Sequence, residues 1–270
     1  MKHLAHILGG LLLIAGCESN SNMDDGKRLV IEAFLYEGQR IDDVQVKELV
    51  PLSSGEGSYL IADAQVLIRT SAGMEFMLNP MEDEPGRYFT DEVIVERGVV
   101  YELEAVHEDQ VIRGETFLPA EPTGLSLSTD ILHIRQITDF SQLGSRSFED
   151  VILSWDNPNA DPFFVQVDNI EDTGNIIDLN FPGGQSFGGG FQLVTEPTVN
   201  DSYVLITRTM EDYGLYQIVL FSLNQEYVDL YETSGEDSRS FSEPLTNIEN
   251  GLGIFTAFSS DTTYLTIDHP

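Results

Sequence analysis

Short apolar runs of four to nine residues, each closed by glycine, proline, aspartate or serine, recur along the chain after Arg28. Leu29–Tyr36, Val44–Val50, Ala64–Arg69, Met74–Leu78, Glu92–Val95, Val99–His107 and Val111–Leu118 are rich in β-branched and aromatic residues. Breakers such as Glu37-Gly38, Ser53-Ser54-Gly55, Ala72-Gly73, Glu84-Pro85-Gly86 and Arg97-Gly98 separate them. Runs this short cannot nucleate stable helices, whereas they match ordinary strands. Within Val99–His107, Tyr101, Leu103 and Ala105 alternate with Glu102 and Glu104, so one face goes to a core and the other to water.

Seven such runs before Leu118 are the number expected of an immunoglobulin-like β-sandwich over residues 28–119. Pro119 and Pro122 fix extended backbone and remove ladder donors, which marks a boundary. Residues 123–270 repeat the pattern with Leu125–Ser128, Ile131–Ile137, Val151–Trp155, Phe163–Asn169, Ile176–Asn180, Gly190–Thr195, Tyr203–Thr209 and Leu215–Phe221. One helix interrupts near 223–233: Ser222 with Gln225 reads as a capping box, and Leu223, Tyr227, Leu230 and Tyr231 fall on one face. That stripe reads as core packing. The expected fold class is mainly β, a sandwich followed by a second β-rich domain with one short helix.

The N-terminus has a different plan. One lysine is followed by an apolar run from Ile7 to Ala15, too short for a membrane span of ~20 residues but typical of a secretory signal. Residues 1–16 therefore read as a signal peptide, and Ile14-Ala15-Gly16-Cys17 as a lipobox with Cys17 as the lipidation site. Cys17 is the single cysteine of the chain, so disulfides and thiolate metal sites are excluded. Residues 17–27 are polar and aperiodic, a lipidated tether. Two or three acyl chains, at ~0.8 kcal/mol per buried CH₂, anchor stably. The formal charge of −33 repels phosphate backbones and excludes nucleic acid as a partner.

Several segments carry family resemblances. A-Q-V-L-I-R-T-S-A-G, the turn Gly86-Arg87-Tyr88 and the strand opening Gly98 to Tyr101 resemble transthyretin-like or carboxypeptidase-regulatory-like modules. V-I-L-S-W-D-N-P followed by F-F-V-Q-V resembles the start of a fibronectin-type sandwich, with Trp155 packed under the next strand. With the terminal N-I-x-x-G-L-G-x-F element at Asn247–Phe255, the chain resembles the Bacteroidota lipoproteins called domain of unknown function 4249. The resemblance implies an outer-membrane lipoprotein found beside TonB-dependent receptors, and no catalytic activity. It leaves the membrane face, periplasmic or cell-surface, open.

The residues themselves support little catalysis. His107, His133 and His269 lie far apart in the mature chain, without zinc spacing, so no metal and no cofactor are expected. Asp156–Asp161 offers oxygen ligands but lacks the EF-hand order and its glycine, and it reads as a turn between strands that needs no ion. Gly184-Gln185-Ser186-Phe187-Gly188 matches the G-x-S-x-G nucleophile elbow, yet three glycines follow where that elbow needs a helix. A serine hydrolase through Ser186 is the remote alternative. The same loop carries Phe181, Phe187 and Phe191, which are speculative binding residues. The expected function is thus non-catalytic, an accessory or binding partner of a TonB-dependent receptor in nutrient uptake. A surface glycan-binding or adhesion module is the alternative.

Overall fold

The computed structural model describes residues 28–49, 58–135, 149–171, 192–210, 212–234 and 245–269. Seventeen strands and one α-helix occupy these residues, so the chain is mainly β and built from sandwich-type sheets. The first group is β1 (Arg28–Tyr36), β2 (Arg40–Leu49), β3 (Ser58–Leu60), β4 (Gln65–Thr70), β5 (Glu75–Pro80), β6 (Arg87–Ile94), β7 (Val100–His107) and β8 (Gln110–Phe117). Most of these follow the apolar runs, but β3 matches none and is exposed throughout, and β6 begins at Arg87, ahead of the expected run Glu92–Val95. The longer strands alternate with one face buried: Leu29, Ile31, Ala33 and Leu35 on β1, and Tyr101, Leu103 and Ala105 on β7. Each such Leu or Ile contributes about 1.5–3 kcal/mol by leaving water.

The modular motifs of this half are packing devices. Tyr88 is fully buried, and its hydroxyl donates to Ile61 O at 2.8 Å and accepts from Ala64 N at 2.9 Å. The hydroxyl of Tyr101 accepts from Glu96 N at 2.7 Å. Both rings fill the core while their polar ends stay satisfied.

The second group is β9 (Thr123–Leu127), β10 (Ile131–His133), β11 (Val151–Asp156), β12 (Phe163–Asn169), β13 (Gln192–Val194), β14 (Ser202–Leu205) and β15 (Gly214–Ser222). It is followed by α1 (Gln225–Ser234), β16 (Ile248–Glu249) and β17 (Leu252–Asp268). A three-stranded sheet, β14-β11-β9, faces the sheet β13-β12-β15-β17 across a second core. Trp155 sits there as expected, its ring 5.9 Å from that of Phe163 at the start of β12. The expected run Ile131–Ile137 is a strand only to His133, and Tyr203–Thr209 divides into β14 and a 3-10 turn at Thr207–Thr209. The run Ile176–Asn180 lies outside the described residues.

The boundary drawn at Pro119–Pro122 separates two cores but not two stretches of chain. β17 is one strand of 17 residues, and it serves both. Its first half pairs in parallel with β1, Val30 beside Leu252 through Tyr36 beside Phe258, while its second half pairs antiparallel with β15. The alternation is continuous: Phe255 and Ala257 enter the first core, Leu265 and Ile267 the second. β16 adds to the far edge of the first sandwich beside β8, so the turn between β16 and β17 ties its two ends together. The first sandwich therefore comprises residues 28–49 and 58–118 together with residues 248–257.

The helix also begins differently from expectation. Ser222 ends β15, buried in the ladder, and α1 starts at Gln225 after Asn224. The Asn224 amide reaches across to β8, donating to Phe117 O at 2.7 Å and to Thr116 Oγ1 at 3.3 Å. Glu226 accepts from Thr116 Oγ1 at 3.1 Å and from Thr256 Oγ1 at 3.2 Å. The expected capping box is therefore not formed: Ser222 belongs to the β15 ladder, Gln225 donates to Asp229 Oδ1 at 2.8 Å within α1, and the neighbouring Asn224 and Glu226 partner the buried hydroxyls of the adjacent sheet.

Candidate functional site

Where β1, β12, β15 and β17 come together, their outward residues build an aromatic layer. Phe34, Tyr36, Phe164, Phe221 and Phe258 gather there, and α1 covers them with Tyr227. The helix stripe is core packing at Leu223 and Tyr227, while Tyr231 is exposed. Burial, then the nearby Asp43 carboxylate, pushes the Tyr36 phenol up to about 12. This cluster is structural and closed.

Beyond the helix the same sheet face is open and changes character. Strand register places Gln192 on β13, Asp168 on β12, Gln217 on β15 and Tyr264 on β17 side by side in one row. The adjacent row is Val194, Gln166, Val219 and Thr262. All lie on the face away from the second core, whose inward residues are Leu193, Val165 and Val167, Ile218, and Leu265. Gln166 Nε2 donates to Asp168 Oδ2 at 2.7 Å, which orients the carboxylate. Tyr264 is 46% exposed. The surface is a flat array of amides, one carboxylate and one phenol, floored by Val219.

A second surface lies on the outer face of the first sandwich. A groove of about 280 Å³ is lined by Arg69, Glu102, Arg113, Glu115, Asn247 and Glu249. Beside it Glu104 accepts from Arg113 Nη2 at 2.6 Å and from Arg69 Nη2 at 3.3 Å. Hydrogen bonds from Arg113 and then Arg69 hold the Glu104 carboxyl below the usual carboxylate range. Both guanidiniums are therefore engaged by glutamates already, which leaves the groove without a dedicated anion site. Asn247 is also committed: it accepts from Phe255 N at 3.0 Å and donates to Phe255 O at 2.7 Å and Glu115 O at 3.4 Å.

The residues singled out from sequence fare unevenly. Cys17, Phe181, Ser186, Phe187 and Phe191 lie outside the described residues. His107 Nδ1 stands 3.4 Å from Asp63 Oδ1, His133 ends β10, and the His269 ring is 6.0 Å from that of Tyr213. Parallel pairing of β10 with β17 sets His133 beside Asp268, the neighbour of His269, while His107 ends β7 in the first sandwich. In the Asp156–Asp161 turn, the Asn157 amide donates to Asp161 O and Val199 O, both at 2.9 Å, and its carbonyl accepts from Asp161 N at 2.8 Å. Asn159 Nδ2 adds a bond to Asp161 Oδ2 at 3.4 Å, so the turn is tied by its own side chains. Among the described residues, no three His, Cys, Asp or Glu side chains group as cation ligands, and no helix is long and apolar enough to cross a membrane.

The open row of Gln192, Asp168, Gln217 and Tyr264 was not visible from sequence. Alternation in F-F-V-Q-V-D-N does set Gln166 and Asp168 on one face, but which strands flank them is a matter of register.

Two sandwich cores sharing one strand, with polar sheet faces turned to solvent, define a mainly β protein of the sandwich class. The chain belongs to the family described as "Domain of unknown function (DUF4249)", whose model matches residues 17–264. No curated protein matches it significantly. Two solved structures are similar to parts of it. The two fibronectin type-III domain segment from chicken tenascin is 11% identical with a TM-score of 0.26, covering 89% of this chain and 98% of that one. The FN1–FN3 domains of chicken CNTN1 are 10% identical with a TM-score of 0.25, covering 74% of this chain and 60% of that one. At these TM-scores the likeness adds nothing to the fold class, which rests on strand pairing.

Proposed function

We propose that this protein is a non-catalytic lipoprotein, held to the outer membrane through Cys17 and acting as an accessory or binding partner of a TonB-dependent receptor in nutrient uptake. The observation that carries the reading is β17: one strand shared by both cores makes a single scaffold that presents extended faces. Binding residues belong on such rigid elements. The receptor as partner, and the membrane, are what the family resemblance and the lipobox imply. The acidic surface supports a protein partner over anionic lipid head groups, which it repels. The test is co-purification from detergent-solubilised envelopes. A barrel receptor should be recovered with the wild-type protein, and Cys17→Ala should lose acyl-chain labelling and leave the membrane fraction. Recovery of no receptor from envelopes holding lipidated protein refutes the partnership.

A further inference from the structure

We propose that the outward face of β13-β12-β15-β17 is a binding platform for a neutral oligosaccharide. The row Gln192, Asp168, Gln217 and Tyr264 crosses four hydrogen-bonded strands. At ~4.8 Å per strand it extends about 14 Å, the scale of a short glycan and not of a single metabolite. Its chemistry matches a polyol. Each glutamine amide carries donors and acceptors in one plane, as paired hydroxyls require, and the Asp168 carboxylate is a strong acceptor oriented by Gln166. Tyr264 supplies an exposed ring for the apolar face of a pyranose and a hydroxyl at its rim.

Other occupants fit worse. A protein interface needs a buried apolar or aromatic centre, yet the middle of this face is Asp168, Gln166 and Gln217 around Val219, and its exposed large apolar groups, Val194, Tyr264 and Ile170, stand at its margins. The face carries no Lys or Arg in its two rows, and the chain has 46 acidic against 13 basic residues, so uronic or sulfated glycans are repelled. The face is also placed for access. α1 covers the aromatic end at Phe164, Phe221 and Phe258 and stops short of Tyr264. The platform is independent of the receptor partnership, and either stands without the other.

The experiment is isothermal titration of the full-length protein in detergent with cellohexaose, maltohexaose, xylohexaose and mannohexaose, and with a galacturonate hexamer as the acidic comparator. At least one neutral hexamer should bind and the galacturonate hexamer should not. Tyr264→Ala should weaken that binding roughly tenfold or more while Tyr264→Phe, which keeps the ring, retains most of it. Gln217→Ala should weaken it as well, and all three variants should keep the thermal midpoint because these side chains face solvent. Flat traces for all four neutral hexamers overturn the proposal. So does binding that Tyr264→Ala and Gln217→Ala leave unchanged, or preference for the acidic hexamer. Receptor co-purification with Tyr264→Ala should match wild type, which separates failure here from failure of the partnership.

Discussion

Tyr36 illustrates how a single side chain is set by two sheets at once. It is the last residue of β1, and its ring stacks on Phe258 at 5.4 Å and meets Phe221 edge-on at 6.4 Å. Burial and the charge of Asp43 disfavour the phenolate, so the phenol ionises near 12 instead of its ordinary 10. The folded value lies above the unfolded one. The stability Tyr36 contributes is therefore fully present below pH 10 and is lost as pH rises from there to about 12. In a tyrosinate absorbance titration made by rapid pH jump on native protein, one step should fall near pH 12, and Tyr36→Phe should remove it. A titration in which every tyrosine ionises at its ordinary value would contradict this placement. The aromatic character of Tyr36 and its outward position on β1 were legible in the alternation of L-V-I-E-A-F-L-Y. Its partners were not, since Phe221 and Phe258 come from the far end of the chain.

The decisive element is the turn from β16 into β17, where the N-I-x-x-G-L-G-x-F pattern acquires a physical meaning. Asn247 bonds both the N–H and the C=O of Phe255 and reaches Glu115 O on β8. Ile248 pairs with Gly114, and Phe255 is fully buried in the first core. Gly253 has φ of +107°, and a Cβ there would lie 1.9 Å from Ile31 O, so β1 and β17 could not come together with any other residue. Asn247→Ala should destabilise by about 2–3 kcal/mol, because it removes three hydrogen bonds and leaves buried backbone groups unpaired. The check is a lowered urea midpoint at unchanged slope. Asn247→Asp should also cost stability, since a carboxylate cannot donate to Phe255 O or Glu115 O. An Asn247→Ala midpoint equal to wild type would show the motif to be incidental. The motif could be seen in the sequence as a motif, while its task depended on β1 and β8. The helix teaches the same lesson: Ser222 and Gln225 have capping-box spacing, but the ladder of β15 extends through Ser222 and holds it in a strand.

At the scale of the whole molecule, the shared strand makes the two cores one cooperative unit. Residues 28–122 alone leave β1 with an unpaired edge and the core without Ile248, Phe255 and Ala257. That fragment should remain unfolded by circular dichroism, and the intact protein should unfold in one calorimetric transition with equal calorimetric and van't Hoff enthalpies. Two separated transitions, or a folded 28–122 fragment, would restore the simple division at Pro119–Pro122. The sequence by itself determined what depends on near neighbours: the strand-forming runs, the turns between them, the buried tyrosines, the lipobox motif and the acidic charge. Only the tertiary structure decided which strands lie side by side. Parallel pairing of β1 with β17, and the alignment of Gln192, Asp168, Gln217 and Tyr264, join segments whose local patterns are ordinary. Their register is set by cores that exist only once the whole chain has folded.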